Sequence, residues 1–302
     1  MTTETELKLA LQPRVAPRVM THPVIEAVAA GPARRTRLLT VYYDTPQFDL
    51  WAAQVSIRLR RTQAGWLQTV KWGGAVIGGL HQRQELELAV SGQAIDFDAI
   101  VDKVRVPRLG SARFRRRIRP VFVTEFERTT RMLQPAEGGT VELCLDRGHI
   151  VAGTARMPIC ELELELKGGS PLGLFDVAQA LVVDVGLRPV YRSKAERGYL
   201  LAGLDMRPIK APRIVLDETL SIAQSAARIV ASGLEQIQAN EDGVLAGKDI
   251  EYLHQMRVGV RRLRSCFGTF ARIAPAGALD AVRAELKWFG GQLGPARDWD
   301  VF

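Results

Sequence analysis

The chain has 302 residues, 47% hydrophobic and 25% charged, which is long enough for two domains and ordinary for a globular protein. It contains no run of about 18 or more apolar residues, which excludes a membrane-spanning helix. The net charge of +8 predicts an anionic partner.

The N-terminus opens straight into an alternating strand, 3–11, so no signal peptide is expected. Glu4, Glu6 and Lys8 share one face of it, opposite Leu7 and Leu9, because successive side chains on a strand point to opposite sides. A helical stretch follows over 15–30, after Pro13. Strands are then predicted over 36–44, 54–62, 66–73, 81–90, 120–133, 140–147 and 157–167, punctuated by Gly, Pro and Asp turns. Their polar faces carry charge. Arg58 and Arg60 alternate with Ile57 and Leu59, Lys71 shares a face with Thr69, and Arg83, Glu85 and Glu87 alternate with Leu86 and Leu88. Asp146 shares its face with Glu142 and Cys144.

The last strand holds the strictest alternation, Glu161-Leu162-Glu163-Leu164-Glu165-Leu166-Lys167. Its carboxylates lie only ~6.8 Å apart along one face and repel one another. A divalent cation would turn that repulsion into affinity. Eight alternating strands favour a closed antiparallel barrel, which leaves no exposed edge. An interior of Arg, Lys, Glu and Asp makes sense as a wet tunnel holding a polyanion and metal, since guanidinium forks suit phosphate oxygens and carboxylates suit Mg²⁺ or Mn²⁺.

Helical periodicity returns over 172–185, and 203–217, with Pro208 and Pro212, reads as a linker. From Ser221 the pattern is helical to the end. At 100° per residue His254, Arg257, Arg261 and Arg264 form one stripe, adjacent to an apolar stripe of Leu253, Met256, Val260, Leu263 and Phe267. Leu279, Val282, Leu286, Phe289 and Leu293 fall on another helical face that needs a partner.

Other residues take plainer roles. His149 beside Gly148 reads as a solvated turn residue, Trp66 and Trp72 as barrel-surface or helix-packing residues, and the Arg113–Arg119 run as a solvated face or turn. His81 shares the face of Arg83 and is a possible phosphate contact, while Ser193 is a hydrogen-bond donor near Lys194 rather than a nucleophile, with no His/Asp partners. Cys144, Cys160 and Cys266 match no paired metal-ligand spacing and point to a reduced, cytoplasmic setting.

Glu4-x-Glu6-x-Lys8, Tyr43-Asp44-Thr45, Arg58-x-Arg60, Lys71, Arg83-x-Glu85, Asp146-x-Gly148, Glu161 to Lys167 and Ser193-Lys194-x-x-Arg197-Gly198-Tyr199 together resemble the CYTH superfamily, the triphosphate tunnel metalloenzymes. The segments around Lys71 and Gly78-Gly79-Leu80-His81-Gln82-Arg83 are similar to its inorganic triphosphatase branch. The resemblance covers residues 1 to about 202. It implies phosphate binding by Lys8, Arg58, Arg60, Lys71, Arg83, Arg128 and Lys194, and metal held by Glu4, Glu6, Asp146, Glu161, Glu163 and Glu165. Lys8, Arg60 and Glu85 are the expected catalytic residues, with Mg²⁺ or Mn²⁺ as cofactor. Residues 254–264 and Leu293-Gly294-x-x-Arg297-Asp298-x-Asp300-Val301-Phe302 resemble a CHAD domain, which implies that the His254–Arg264 stripe binds polyphosphate.

The expectation is therefore an α+β protein. Residues 1–202 form an eight-stranded closed antiparallel barrel with flanking helices, 203–217 a linker, and 218–302 the N-terminal part of an all-α CHAD domain. The implied activity is metal-dependent hydrolysis of inorganic triphosphate. The alternatives are nucleoside or thiamine triphosphate hydrolysis, adenylate cyclisation, or non-catalytic polyphosphate binding. No nucleic acid or membrane partner is expected, and the helical tail is expected to self-associate.

Overall fold

The computed structural model describes residues 2–301 except 107, 137, 248 and 272, and side chains except those of 2 and 296–301; Phe302 and the side chains of Arg297, Asp298 and Asp300 therefore lie outside it. It divides into two compact units, Met1–Asp205 and Met206–Phe302.

The first unit is built on β1 (Thr2–Ala10), β2 (Arg34–Asp44), β3 (Val55–Thr62), β4 (Gly65–Ile77), β5 (Leu80–Val90), β6 (Arg119–Leu133), β7 (Thr140–Ala152) and β8 (Ala155–Gly168). They run antiparallel in the order β5-β4-β3-β2-β6-β7-β8-β1, and β1 pairs back onto β5. The barrel is closed. A short β9 (Arg188–Pro189) joins β1 at Leu9 and Ala10. Every strand read from alternation forms, but β7 continues to Ala152, so His149 sits in a strand opposite Glu125 rather than in a turn.

The apolar faces of these strands point outward, where helices cover them. Leu7, Leu9, Leu143, Leu162 and Leu164 pack under α1 (Ala16–Val19), α2 (Pro23–Val28) and α6 (Leu172–Val185) through Val19, Ile25, Leu174 and Leu181. On the opposite wall Val55, Ile57, Val70 and Leu86 pack under Leu50, Ile100 and Phe114 of α3 (Asp49–Ala52), α4 (Phe97–Val101) and α5 (Ala112–Arg115).

The single helix expected over 15–30 is two short ones, because Pro23 has no N–H to continue a helix and instead starts α2, with the His22 side chain accepting from Val24 N at 3.3 Å. The Arg113–Arg119 run is not simply a solvated turn either: α5 occupies its start, Arg115 donates to Asp98 at 2.7 Å and Arg117 reaches Asp49 at 3.3 Å.

One end of the barrel is filled by rings. Tyr42 stacks on Phe122 at 4.4 Å, and Tyr199 of α7 (Lys194–Leu201) meets Phe122 edge-on at 5.2 Å. This plug seats α7, whose first residue is Lys194.

The second unit contains α8 (Ile222–Ala246), α9 (Ile250–Phe270) and α10 (Asp280–Val301). A capping box of Ser221 and Gln224 starts α8, and Gly247 ends it in the left-handed conformation. Leu253, Met256, Val260 and Leu263 are buried as the apolar stripe requires. The basic stripe divides. Arg261 and Arg264 are exposed, while Arg257 is half-buried, with Nη1 unbonded near Gly294 of α10. No helix of the described residues is long and apolar enough to cross a membrane.

Gly198 lies directly against Phe122. A Cβ there would lie 2.1–2.5 Å from three atoms of the Phe122 ring. Helical Gly→Ala changes normally gain ~1 kcal/mol. Here the clash reverses the sign, and Gly198→Ala is expected to destabilise by about 1–3 kcal/mol in urea unfolding.

Candidate active site

The barrel encloses a cavity of about 220 Å³. Seven carboxylates and eight lysines and arginines line it, from β1, β3, β4, β5, β6, β7, β8 and the start of α7. Lys8, Arg58, Arg60, Lys71, Arg83, Arg128 and Lys194, all read as phosphate ligands from sequence, face this one space. So do Glu4, Glu6, Glu85, Glu163 and Glu165. Asp146 and Glu161 do not line it; they are buried beside Glu163.

Strand register sets opposite charges side by side: Glu4 pairs with Arg83, Lys8 with Glu163, Lys71 with Glu85 and Arg128 with Asp146. It also forces like charges together at Glu6–Glu165, Glu142–Glu165 and Asp146–Glu161. Cations from other positions relieve each of these clashes. Lys8 Nζ lies 2.7 Å from Glu6 and also contacts Glu163. Lys167 is 2.6 Å from Glu165 and 3.7 Å from Glu142. Lys194 Nζ sits among Asp146 at 2.6 Å, Glu163 at 3.0 Å and Glu161.

Arg128 grips Asp146 with two hydrogen bonds, 2.7 and 2.6 Å, and reaches Glu163. Lys71 pairs with Glu4 and, at 3.3 Å, with Glu85, which also meets Arg58 at 3.5 Å. Arg197, outside the cavity lining, pairs with Glu161.

Two cations stand apart from this network. Arg60 donates to Thr40 Oγ1 at 3.1 Å, and neither it nor Arg83 has a carboxylate within ion-pair distance among the described residues. Burial, with Arg58 and Arg128 nearby, lowers the Arg60 guanidinium to about 10. Arg58 Nε is buried and also without a hydrogen-bond partner.

His81 lines the cavity but carries no charge at neutral pH. Burial, reinforced by Lys8, lowers it to about 4, and Nε2 meets the Val190 carbonyl at 3.0 Å. Ser193 lines the cavity, and its oxygen accepts from Glu196 N at 3.2 Å as the cap of α7, which leaves the hydroxyl proton to donate elsewhere. Tyr43 packs on the outer wall with Leu59, and Asp44 accepts from the Thr45, Leu50 and Trp51 amides to hold α3. Tyr42, Glu142 and Lys167 are lining residues not assigned roles from sequence. Alternation puts Lys167 and Glu142 on the polar faces of their strands, whereas Tyr42 is hidden because both faces of its strand look apolar there.

Residues 2–199 match the CYTH domain and residues 228–302 the CHAD domain. The chain belongs to the CYTH family. It is 30% identical over 202 residues to the inorganic triphosphatase of Haemophilus influenzae, a match covering 67% of this chain and 55% of that protein. The chain thus spans about half the length of this relative. Among solved structures, a Hippeastrum adenylyl cyclase homologue described as having dominant triphosphatase activity is 16% identical, covering 65% of this chain and 95% of its own, with a TM-score of 0.47. A candidate adenylate cyclase from Bacillus halodurans is 17% identical over 65% of this chain and 98% of its own, with a TM-score of 0.41.

In this CYTH barrel the donor set fits a hard divalent cation. Asp146, Glu161 and Glu163 bring carboxylate oxygens within 4.8 Å of one another, all buried, and oxygen-only sites suit Mg²⁺ or Mn²⁺. Glu161 Oε1 makes no hydrogen bond, although the Lys194 ammonium lies against it. Burial would raise Glu163, but Lys194, Lys8 and Arg128 hold it well below the usual range. For Glu6, Lys8 and Lys71 outweigh the effect of burial, and the carboxyl falls to about 2. These carboxylates are ionised, and Lys8, Lys194 and Arg128 occupy the places beside them that a cation would take.

The same shifts predict how the metal-free CYTH protein responds to acid. The unfolded chain protonates His81 near 6.5 and the folded one only near 4, so this contribution is complete above pH 6.5 and lost as pH falls toward 4. Glu6 contributes stability above about 4.5 that disappears as pH falls toward 2. Urea unfolding in EDTA from pH 7 to 4 is expected to show falling stability, with a shallower slope between pH 6.5 and 4.5 in His81→Gln.

Proposed function

We propose that the CYTH barrel is a divalent-cation-dependent hydrolase of inorganic triphosphate. The observation that carries this reading is the pair Arg60 and Arg83, cavity-lining guanidiniums without carboxylate partners in a space where the other cations are paired. A buried cation crowded by other cations is most stabilised by an incoming polyanion. The lining has no aromatic pair for a nucleobase: Tyr42 and Phe126 are both committed to the ring cluster.

In this reading Arg58, Arg60, Arg83 and Lys71 neutralise the non-bridging oxygens as charge spreads over the transferring phosphoryl group. Glu85, between Lys71 and Arg58, orients those two cations. Water adds to the terminal phosphorus, the P–O bond to diphosphate breaks, and a proton is released. Glu4, Glu6, Glu163 and Glu165, with Asp146 and Glu161 behind them, are the residues that would hold a cation. When bound it supplies further neutralisation of phosphate oxygens and a more acidic water. Lys8, Lys71 and Lys194, which pair with these carboxylates, are the ammonium groups that would be left for phosphate oxygens if a cation took the carboxylate oxygens.

Two measurements check this. Phosphate release with Mn²⁺ is expected to favour triphosphate over ATP in kcat/KM by more than about tenfold, or ~1.4 kcal/mol; equal efficiency would point to a broader triphosphatase, and cyclic AMP formation to a cyclase. Arg60→Ala is expected to lower kcat about 10²–10³-fold, and Glu6→Gln and Glu163→Gln to abolish turnover with the fold retained by circular dichroism. Near-normal rates in both Gln variants at limiting Mn²⁺ would remove the metal assignment.

For the helical unit we propose self-association and weak, salt-sensitive polyphosphate binding through Arg261 and Arg264. Leu245, Ile273 and Trp288 are exposed apolar residues there, which favours a partner surface. Sedimentation of the whole chain against residues 1–205 is expected to show association of the whole chain only.

A further inference from the structure

β2 stays paired with β6 from Arg34 to Asp44, but its ladder with β3 runs only from Leu39–Arg61 to Tyr43–Ile57. Residues 34–38 therefore have no strand on their β3 side, and a concavity of about 860 Å³ lies along this stretch. Its rim carries Arg35, Arg37, Arg61, Arg147 and Arg156. Phe126 lines both this groove and the tunnel cavity. On this ring Lys194 Nζ and Arg128 Cζ lie 5.1 and 5.7 Å from the centroid.

Five guanidiniums face two carboxylates, Glu125 and Glu127. Glu127 is 3.4 Å from Arg147, and Arg156 contacts His149 Nδ1 at 2.9 Å. Arg35, Arg37 and Arg61 are exposed and make no ion pair among the described residues. Most surface arginines are solvated singly. Here three without carboxylate partners border one concave space, and Arg35 and Arg37, two apart on one strand, point the same way ~6.8 Å from each other.

We propose that this outer groove is a second anion site, separate from the tunnel, that holds a linear polyphosphate chain. Guanidinium forks match phosphate oxygens, and of the two rings in the lining Phe126 is buried and His149 is half-buried and held by Arg156, which leaves no open platform for a base. The site does not depend on the hydrolase reading, because it requires binding and no chemistry.

The test is equilibrium binding to the full chain in EDTA, where no metal supports turnover. The probes are long-chain polyphosphate, inorganic triphosphate and a single-stranded oligonucleotide. Arg35→Ala/Arg37→Ala alters exposed positions away from the tunnel residues, and Arg37→Glu provides a second variant if the double one misfolds. Long-chain affinity is expected to fall at least about tenfold, with a salt dependence shallower by about 0.7–0.9 for each phosphate that is no longer neutralised. Triphosphate affinity and Mn²⁺-supported turnover are expected to change less than about twofold. Unchanged long-chain affinity in a folded variant means that the polymer is held elsewhere, including on the helical unit, and overturns the proposal. An oligonucleotide that binds as tightly as polyphosphate and loses as much on mutation overturns the ligand assignment.

Discussion

Everything in the first unit answers to one constraint: a closed sheet with its charges inside. Moving a single ion out of water costs several kcal/mol even after the protein relaxes, and a partner must offset that cost. The barrel supplies partners from its own strands, so that Glu163 alone meets Lys8, Arg128 and Lys194. Such a lattice is weak evidence for stability, since buried ion pairs roughly break even against apolar packing. It makes better sense as a site whose groups hold one another until ligands arrive.

Because the inside is charged, the apolar side chains have to work from the outside. Leu162 and Leu164, alternating with Glu161 and Glu163, are fully buried beneath helices, not within the barrel. The helices are therefore the other half of the core, and the barrel wall is sandwiched between a wet face and a dry one. The ring plug ties the two together. Tyr199 and Gly198 seat α7 on Phe122, and this places Lys194 among Asp146, Glu161 and Glu163. The acidic cluster and the packing of an aromatic ring are thus one structural problem, which is why a methyl group at Gly198 is expected to be felt at the site.

The strands were legible because alternation is a local signal: Glu4, Glu6 and Lys8 on one face need only a period of two. The inward position of Arg128 could be carried over from the family pattern although its own segment alternates poorly. The one-turn helices α3, α4 and α5 were not visible, since four or five residues do not display a 3.6-residue period. Pairing was the other blind spot. That Lys8 reaches Glu163, 155 residues away, or that Lys194 blocks the acidic cluster, depends on register and on the seating of α7. So does the separation of Asp146 and Glu161 from the cavity lining, which parity alone could not distinguish from the placement of Glu163.

On the proposed function the tunnel is an anion site in its own right, which divalent cations convert into a hydrolase. Calorimetric titration of EDTA-treated protein with inorganic triphosphate, followed by addition of Mn²⁺ with phosphate release monitored, tests it most directly. Binding is expected without metal, weakened as salt rises and weakened by Arg60→Ala, with hydrolysis starting only when Mn²⁺ is added. Absence of binding in EDTA, or turnover by the metal-free protein, would contradict it.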